Sequence, residues 1–246
     1  MLSYCLLVPH FNHDAQFLAF LPSLRTTGLP LVVVDDGSGH DSIQAVRQAI
    51  EEYPEAHLFE LQSNRGKGAA VMAGFCYARG LGYTHVIQID ADGQHCLADL
   101  PAFMAASSKS PHAIICGKPF FDATAPKARV YGRKVTDFWA ALETLSLKIK
   151  DGLCGYRIYP LSEVEKVIDN YYVGCRMDFD TEILVKAVWQ KVALEFLKTK
   201  VIYPERSVSH FHYWRDNLLL IRLHTRLMLG MLIRSPKLIV HRLRGF

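Results

Sequence analysis

The chain has no C-x-x-C pair. Its six cysteines, Cys5, Cys76, Cys96, Cys116, Cys154 and Cys175, stand singly, which leaves no zinc knuckle or dithiol redox centre and reads as free thiols in a reducing compartment. Its most apolar stretch, Leu218–Ile233, is broken by Arg222, His224 and Arg226, so it is too polar for a membrane span, which takes about 20 apolar residues. The apolar start, Met1 to Val8, lacks a basic flank and a small-residue cleavage site and is not read as a signal peptide. Both G-x-x-x-x-G-K-[ST] and G-x-G-x-x-G are missing, which excludes a P-loop and a dinucleotide fingerprint. Internal repeats and low-complexity linkers are missing too. What remains is a chain of 246 residues, 50% hydrophobic and 21% charged, long enough for a sizeable core and unlike disordered, collagenous or disulfide-stapled sequences.

The net charge of +4 is unevenly placed. From Arg215 to the end there are seven basic residues against one acid, Asp216, a segment charge of +6, whereas the rest of the chain carries −2. A basic tail on a nearly neutral body predicts a local partner for the tail and no nucleic-acid partner for the protein.

Short apolar runs at Tyr4–Val8, Leu31–Val34, His57–Leu61, His85–Ile89 and Ala113–Cys116 predict strands. Helical stretches between them, Asp14–Leu24, Ser42–Glu52, Gly68–Arg79 and Leu97–Ala106, several preceded by a Ser, Asp or Asn suited to capping, predict βαβ crossovers and a mostly parallel sheet. Continuous apolarity within the strands fits a sheet covered on both faces. The half after Lys127 reads as helix-rich, with short extended pieces at Leu194–Lys198 and Val201–Tyr203. The expected division is residues 1–211 as one α/β domain and 212–246 as a C-terminal helix and tail.

Ligands of such sheets sit beyond the carboxyl ends of the strands, and there this chain is polar. Strand one ends in Pro9-His10-Phe11-Asn12, strand two in Asp35-Asp36-Gly37-Ser38, strand three in Ser63-Asn64-Arg65-Gly66-Lys67-Gly68, and strand four in Asp90-Ala91-Asp92-Gly93-Gln94-His95. Asp90 and Asp92, with Gln94, present oxygen donors that suit Mg²⁺ or Mn²⁺ bridging to phosphates; the alternative is an acidic turn capping the next helix. Asp35 and Asp36 can accept hydrogen bonds from ribose hydroxyls or a base N–H, or simply close a turn. Lys67 stands where a helix N-terminus can meet an anion.

In this order and spacing the four blocks resemble the family 2 glycosyltransferases of the GT-A fold, most closely the dolichyl-phosphate mannosyl- and glucosyltransferase branch, over about residues 4 to 211. Phe11 and His13 stand where that pattern carries Tyr and Glu. The resemblance implies a nucleotide-diphosphate sugar donor, with Pro9, Asn12, Asp35 and Asp36 around base and ribose, Lys67 nearby, and Asp90, Asp92 and Gln94 at a divalent metal and the diphosphate. It also implies inversion at the sugar, and an acceptor that is a lipid-linked or polyprenyl-phosphate molecule or, alternatively, a glycan or other hydroxyl. A sugar nucleotidyltransferase is disfavoured by the missing G-x-G-T-R loop, and a non-catalytic nucleotide-sugar-binding protein by the presence of both Asp90 and Asp92.

In the second half, Asp151-Gly-Leu-Cys-Gly-Tyr-Arg157 and Asp178-Phe-Asp180-Thr-Glu182 are similar to two further family segments. Asp180 and Glu182 are the candidate general base or acceptor-binding groups, the alternative being a helix cap and first turn. Arg129, Arg133 and Arg157 are candidates for acceptor or donor phosphates, since guanidinium forks suit that task; Arg129 and Arg133 read equally as a solvated helix face. His210 is a candidate metal ligand or a packed structural histidine. The stretch from Leu218 fits a helix lying in a membrane interface, backed by the basic tail on anionic lipid, or a helix docked on its own domain or a partner. The expected location is the cytoplasm, peripheral on the cytoplasmic face of the membrane.

Overall fold

The structure, a computed structural model, describes residues 1–120, 127–200 and 213–243. Among these residues seven strands form one sheet: β1 (Tyr4–His10), β2 (Leu31–Asp35), β3 (Ala56–Glu60), β4 (His85–Gln88), β5 (Ile114–Phe120), β6 (Arg157–Pro160) and β7 (Leu194–Lys200). Their spatial order is β3-β2-β1-β4-β6-β5-β7. Pairing is parallel except around β6, which runs antiparallel to both β4 and β5. The five strands read from the sequence are present. β6 was not expected: it is four residues long and opens on Arg157, so no apolar run announces it.

Among the described residues eight α-helices accompany the sheet: α1 (Asp14–Arg25), α2 (His40–Glu51), α3 (Lys67–Gly80), α4 (Leu100–Lys109), α5 (Lys127–Thr144), α6 (Leu161–Asn170), α7 (Phe179–Trp189) and α8 (Tyr213–Leu243). Alternation along β1 shows how both faces are filled, because successive side chains of a strand point to opposite sides. Cys5 and Leu7 join a core with Val71 and Phe75 of α3 and Ile183 of α7, whereas Leu6 and Val8 join one with Phe17 of α1, Val46 of α2 and Phe103 of α4. Strands buried on both faces need apolar residues at every position, which is why they read as unbroken runs.

The helix starts differ from expectation. α1, α2 and α3 are preceded by His13, Gly39 and Gly66, and none receives a side-chain cap. The expected cappers lie in the strand-end loops, and their oxygens are spent there, as described below. α8 docks on its own domain: Leu223, Leu227 and Met231 are buried, and the ring of His224 stacks on Trp139 of α5 at 5.9 Å. Among the described residues no helix is long and apolar enough to cross a membrane.

Candidate active site at the carboxyl ends of the strands

From β1 the chain crosses outward to β2 on one side, and β4 adds on the other. This reversal of strand order opens a crevice between the ends of β1 and β4, the position where open α/β sheets take ligands. The polar blocks anticipated from the sequence surround it.

Two of them brace the crevice floor. Asp35 Oδ1 meets His10 Nδ1 at 2.9 Å, and Asp35 Oδ2 accepts the Ser38 amide at 2.8 Å. Burial pushes this carboxyl up, but the hydrogen bonds from His10 and Ser38 prevail and hold it below the usual aspartate value. Asn12 adopts φ +50° and accepts the Gly39 amide through Oδ1 at 2.9 Å, tying the first loop to the second. Pro9 sits in the β1 ladder opposite Val34. Asp36 accepts the amides of Arg65 and Gly66, each at 2.7 Å, and burial raises its pKa despite them. The tight course of these loops requires glycine at two points. Gly37 has φ +74° and Gly66 φ +102°, and a Cβ on either would lie 2.5 Å from neighbouring backbone.

The other blocks carry the charge. Lys67, first residue of α3, places Nζ 2.8 Å from Asp90 Oδ1 and 2.9 Å from Asp180 Oδ2. Burial alone would push its ammonium down; the Asp180 and Asp90 carboxylates outweigh that and raise it. Asp90 is opposed by burial but held well below the ordinary aspartate value by Lys67 and His95, whose Nε2 lies 3.4 Å from Asp90 Oδ2. Asp92 is raised by burial and by the charge of Asp90, and its Oδ1 accepts the Gln94 amide at 3.0 Å. A carboxylate pair at odds with its own repulsion is a place where added positive charge is welcome.

Asp180 is not the cap of α7; Asp178 holds that position, without a side-chain cap. The Asp180 carboxylate turns to Lys67 and has Gln88 Nε2 at 3.4 Å. The structure thus joins Lys67, Asp90 and Asp180, each a candidate from a separate sequence block and up to 113 residues apart. Sequence reasoning missed Gln88, His95 and Gly155. A Cβ on Gly155 would lie 2.8 Å from Asp90 Oδ2 and 3.0 Å from Gln88 Nε2, so the second-half turn must be bare for the strand-four carboxylate to sit there. The signal available was the second glycine of Asp151-Gly-Leu-Cys-Gly155.

Three expected residues lie elsewhere. Arg157 is fully buried, and its guanidinium donates to the Asp180 carbonyl at 2.7 Å, the Tyr159 hydroxyl at 3.0 Å and the Gly152 carbonyl at 3.0 Å. It pins the start of α7 and is closed off from any phosphate. Arg133 grips both oxygens of Asp151 at 2.7 and 2.6 Å, while Asp151 also accepts the amides of Leu153 and Cys154. Glu182 points away from the crevice, fully buried, accepting the Gly174 amide at 2.7 Å and pairing with Lys186 and with Arg226 of α8. The side chain of Arg129, and His210 altogether, lie outside the described residues.

Among the described residues, no group of three or more His, Cys, Asp or Glu is arranged to hold a metal ion. The donor set still fits a hard divalent cation, because Mg²⁺ is commonly held by one or two carboxylates and takes its remaining ligands from substrate phosphates and water. Asp90 and Asp92, in electrostatic conflict with each other, supply that number.

A parallel-rich sheet with a carboxylate-lined crevice at its switch point defines an open α/β protein that takes its ligand at the carboxyl ends of the strands. More narrowly, the model of the family described as Glycosyl transferase family 2 matches residues 5–159, and the chain belongs to that family. A dolichyl-phosphate beta-glucosyltransferase of Dictyostelium discoideum is 27% identical over 214 residues, 81% of this chain and 64% of that protein. A polyprenol monophosphomannose synthase of Mycolicibacterium smegmatis is 28% identical over 141 residues, 56% of this chain and 53% of that protein. The chain thus spans about half to two thirds of the length of such relatives. Among solved structures, glucosyl-3-phosphoglycerate synthase from Mycobacterium tuberculosis, in complex with Mn²⁺, UDP-glucose and phosphoglyceric acid, superposes with a TM-score of 0.63 at 15% identity, covering 94% of this chain and 78% of that one. A mannosyltransferase from Pyrobaculum calidifontis with GDP-Man and Mn²⁺ gives 0.61 at 17% identity, covering 94% and 64%. At these identities the likeness establishes the GT-A fold.

Proposed function

We propose that the protein transfers one sugar, with inversion, from a nucleotide-diphosphate sugar to a polyprenyl-phosphate or similar lipid-linked acceptor, at the cytoplasmic face of a membrane. The observation that carries this reading is the bridge from Lys67 to Asp90 and Asp180. It brings the strand-four carboxylate, a cation and a second-half carboxylate to one point at the mouth of the nucleotide crevice. The curated relatives that act on dolichyl or polyprenyl phosphate support the acceptor class.

The braced loops of Asp35, Asp36 and Asn12 shape the walls against which base and ribose would lie, with Pro9 near the end of the β1 ladder beneath them. Asp90, Asp92 and Gln94 would hold Mg²⁺ or Mn²⁺, which when bound neutralises charge developing on the leaving diphosphate. Lys67 offers its ammonium to the same phosphates, and its move toward them would free the Asp180 carboxylate. With a phosphate acceptor the attacking oxygen is already ionised and Asp180 orients it; with a hydroxyl acceptor Asp180 takes the proton. Arg157 holds the Asp180 backbone in place from behind, and residues 212–246 serve as the appendage that meets the membrane.

The test incubates the protein in detergent with Mg²⁺ or Mn²⁺, a panel of radiolabelled nucleotide sugars and polyprenyl phosphate, and counts label in the organic phase. Metal-dependent transfer that disappears in Asp92→Ala is expected. Metal-dependent nucleotide binding without transfer from any donor would overturn the polyprenyl-phosphate acceptor.

A further inference from the structure

Two helices that pack together each leave an apolar stripe in solvent. On α5, Tyr131, Val135, Phe138 and Leu142 recur at helical spacing and are all exposed, Phe138 to 60%. On α8, Ile221, Leu229, Leu232 and Ile233 are exposed, Ile233 to 79%. The seam between the helices is closed by Trp139 on His224 and by His224 Nδ1 to Glu143 Oε1 at 2.7 Å. Helical spacing sets both stripes on the solvent side of that seam, so they form one surface rather than scattered exposed residues.

The surface is also stripped of negative charge. The acids of α5 face inward, Asp137 to the Gly152 amide and Glu143 to His224, while Lys134 is exposed. α8 has one acid in its sequence, Asp216; Arg222 is exposed, whereas Arg226 turns to Glu182 and Arg234 lies over Trp189 and Tyr171. A second copy docking by two-fold symmetry would set this basic surface against itself. An anionic lipid surface instead matches both its apolar and its positive character.

We infer that α5 and α8 together form a face that lies on anionic lipid, with α5 as much a part of it as the C-terminal helix. This deepens the membrane-surface part of the proposed function and rests on it. The arrangement has a consequence for the site. The other flank of α5 holds the turn at residues 151–155, through Arg133 to Asp151 and Asp137 to the Gly152 amide. That turn packs Gly155 against Asp90. The crevice therefore stands about one helix diameter, ~10 Å, from the bilayer, within reach of a lipid head group.

The experiment is co-sedimentation of the full chain with vesicles of phosphatidylcholine, with and without about one third phosphatidylglycerol. The wild type should bind the anionic vesicles more strongly. Tyr131→Ser with Phe138→Ser, and separately Ile221→Ser with Ile233→Ser, should each weaken binding about tenfold or more, with unchanged circular dichroism. Lys134→Glu, a single exposed change, should weaken binding to anionic vesicles even if a serine pair folds poorly. Loss with the α8 pair, but wild-type binding by both the α5 pair and Lys134→Glu, would overturn the two-helix face. Failure of the wild type to bind either vesicle would overturn the lipid partner, and a dimer in sedimentation velocity broken by both serine pairs would assign the face to a second copy. No donor or acceptor is present, so these outcomes are independent of the transfer assay in detergent.

Discussion

The first-half loops and the second-half turns hold the same crevice by different means. In the first half, Asp35, Asp92 and Asp36 are satisfied mainly by backbone, through the amides three residues on, two residues on and in the Arg65–Gly66 turn, with Asp90, held by Lys67 and His95, the exception. In the second half, side chain meets side chain across long stretches of chain: Glu182 with Arg226 and Asp180 with Lys67 as ion pairs, and Glu143 with His224 by a hydrogen bond. Local backbone bonds cost little to arrange and survive shielded from salt. Buried ion pairs must recover a large desolvation cost and become liabilities when one partner is removed. The first half should therefore tolerate change in stability while losing chemistry, and the second half should do the reverse.

Asp92→Ala tests the first side of that contrast and should have the largest effect. Its carboxylate makes one local hydrogen bond, so the variant should fold normally, while transfer falls about 10²–10³-fold, the scale for losing one electrostatic element of a leaving-group site. A fall in denaturation midpoint comparable to the fall in activity would erase the distinction between the halves.

Glu182→Gln tests the other side. It leaves Lys186, itself buried, and the Arg226 guanidinium without their shared counter-charge. Unfolding in urea should show a loss of about 3 kcal/mol, the low end for a broken buried pair because Arg226 is partly exposed and screened. Arg226→Gln, which removes the more solvated partner, should cost clearly less. Equal losses would mean that the site is an ordinary surface ion pair.

Gly155→Ala probes where the two halves touch. The new Cβ would stand against Asp90 and Gln88, so transfer should drop about tenfold or more while stability falls by only about 1–2 kcal/mol. Unchanged kinetics would show that the contact has no bearing on Asp90.

This division also explains what the sequence disclosed. The strand runs and strand-end blocks were legible because each is local: a run of Val and Leu ending in Asp35-Asp36-Gly37-Ser38 specifies a buried strand and the turn after it. The position of Lys67 between Asp90 and Asp180 was not, because spacing carries no information about which of many charges will meet after folding. Arg157 illustrates the limit: an arginine in a chemistry-bearing segment suggests a phosphate, and here it is consumed by two carbonyls and a phenol. The capping expectation failed for a related reason, since the oxygens of Asp35 and Ser38 have a better use within their own loop than at the helix start.

The smallest effect belongs to Asp137, on the boundary between the two regimes. Its carboxylate accepts a backbone amide, that of Gly152, yet burial and the nearby Asp151 charge push it from 3.8 up to about 6, with Arg133 and Lys118 opposing. A carboxyl raised on folding binds its proton more tightly in the native state, so its contribution is fully present below the unfolded value and is lost as pH rises through the folded one. Stability should therefore decline between about pH 4 and pH 6 by about 1–2 kcal/mol, less than the full shift implies because the group is partly solvated. Asp137→Asn keeps an oxygen for the Gly152 amide and removes the titration. At pH 8 the variant should be more stable than the wild type by about that amount, and near pH 4 the two should converge. A difference that stays constant across the range would mean that Asp137 belongs with the backbone-braced carboxylates of the first half, its charge already accommodated.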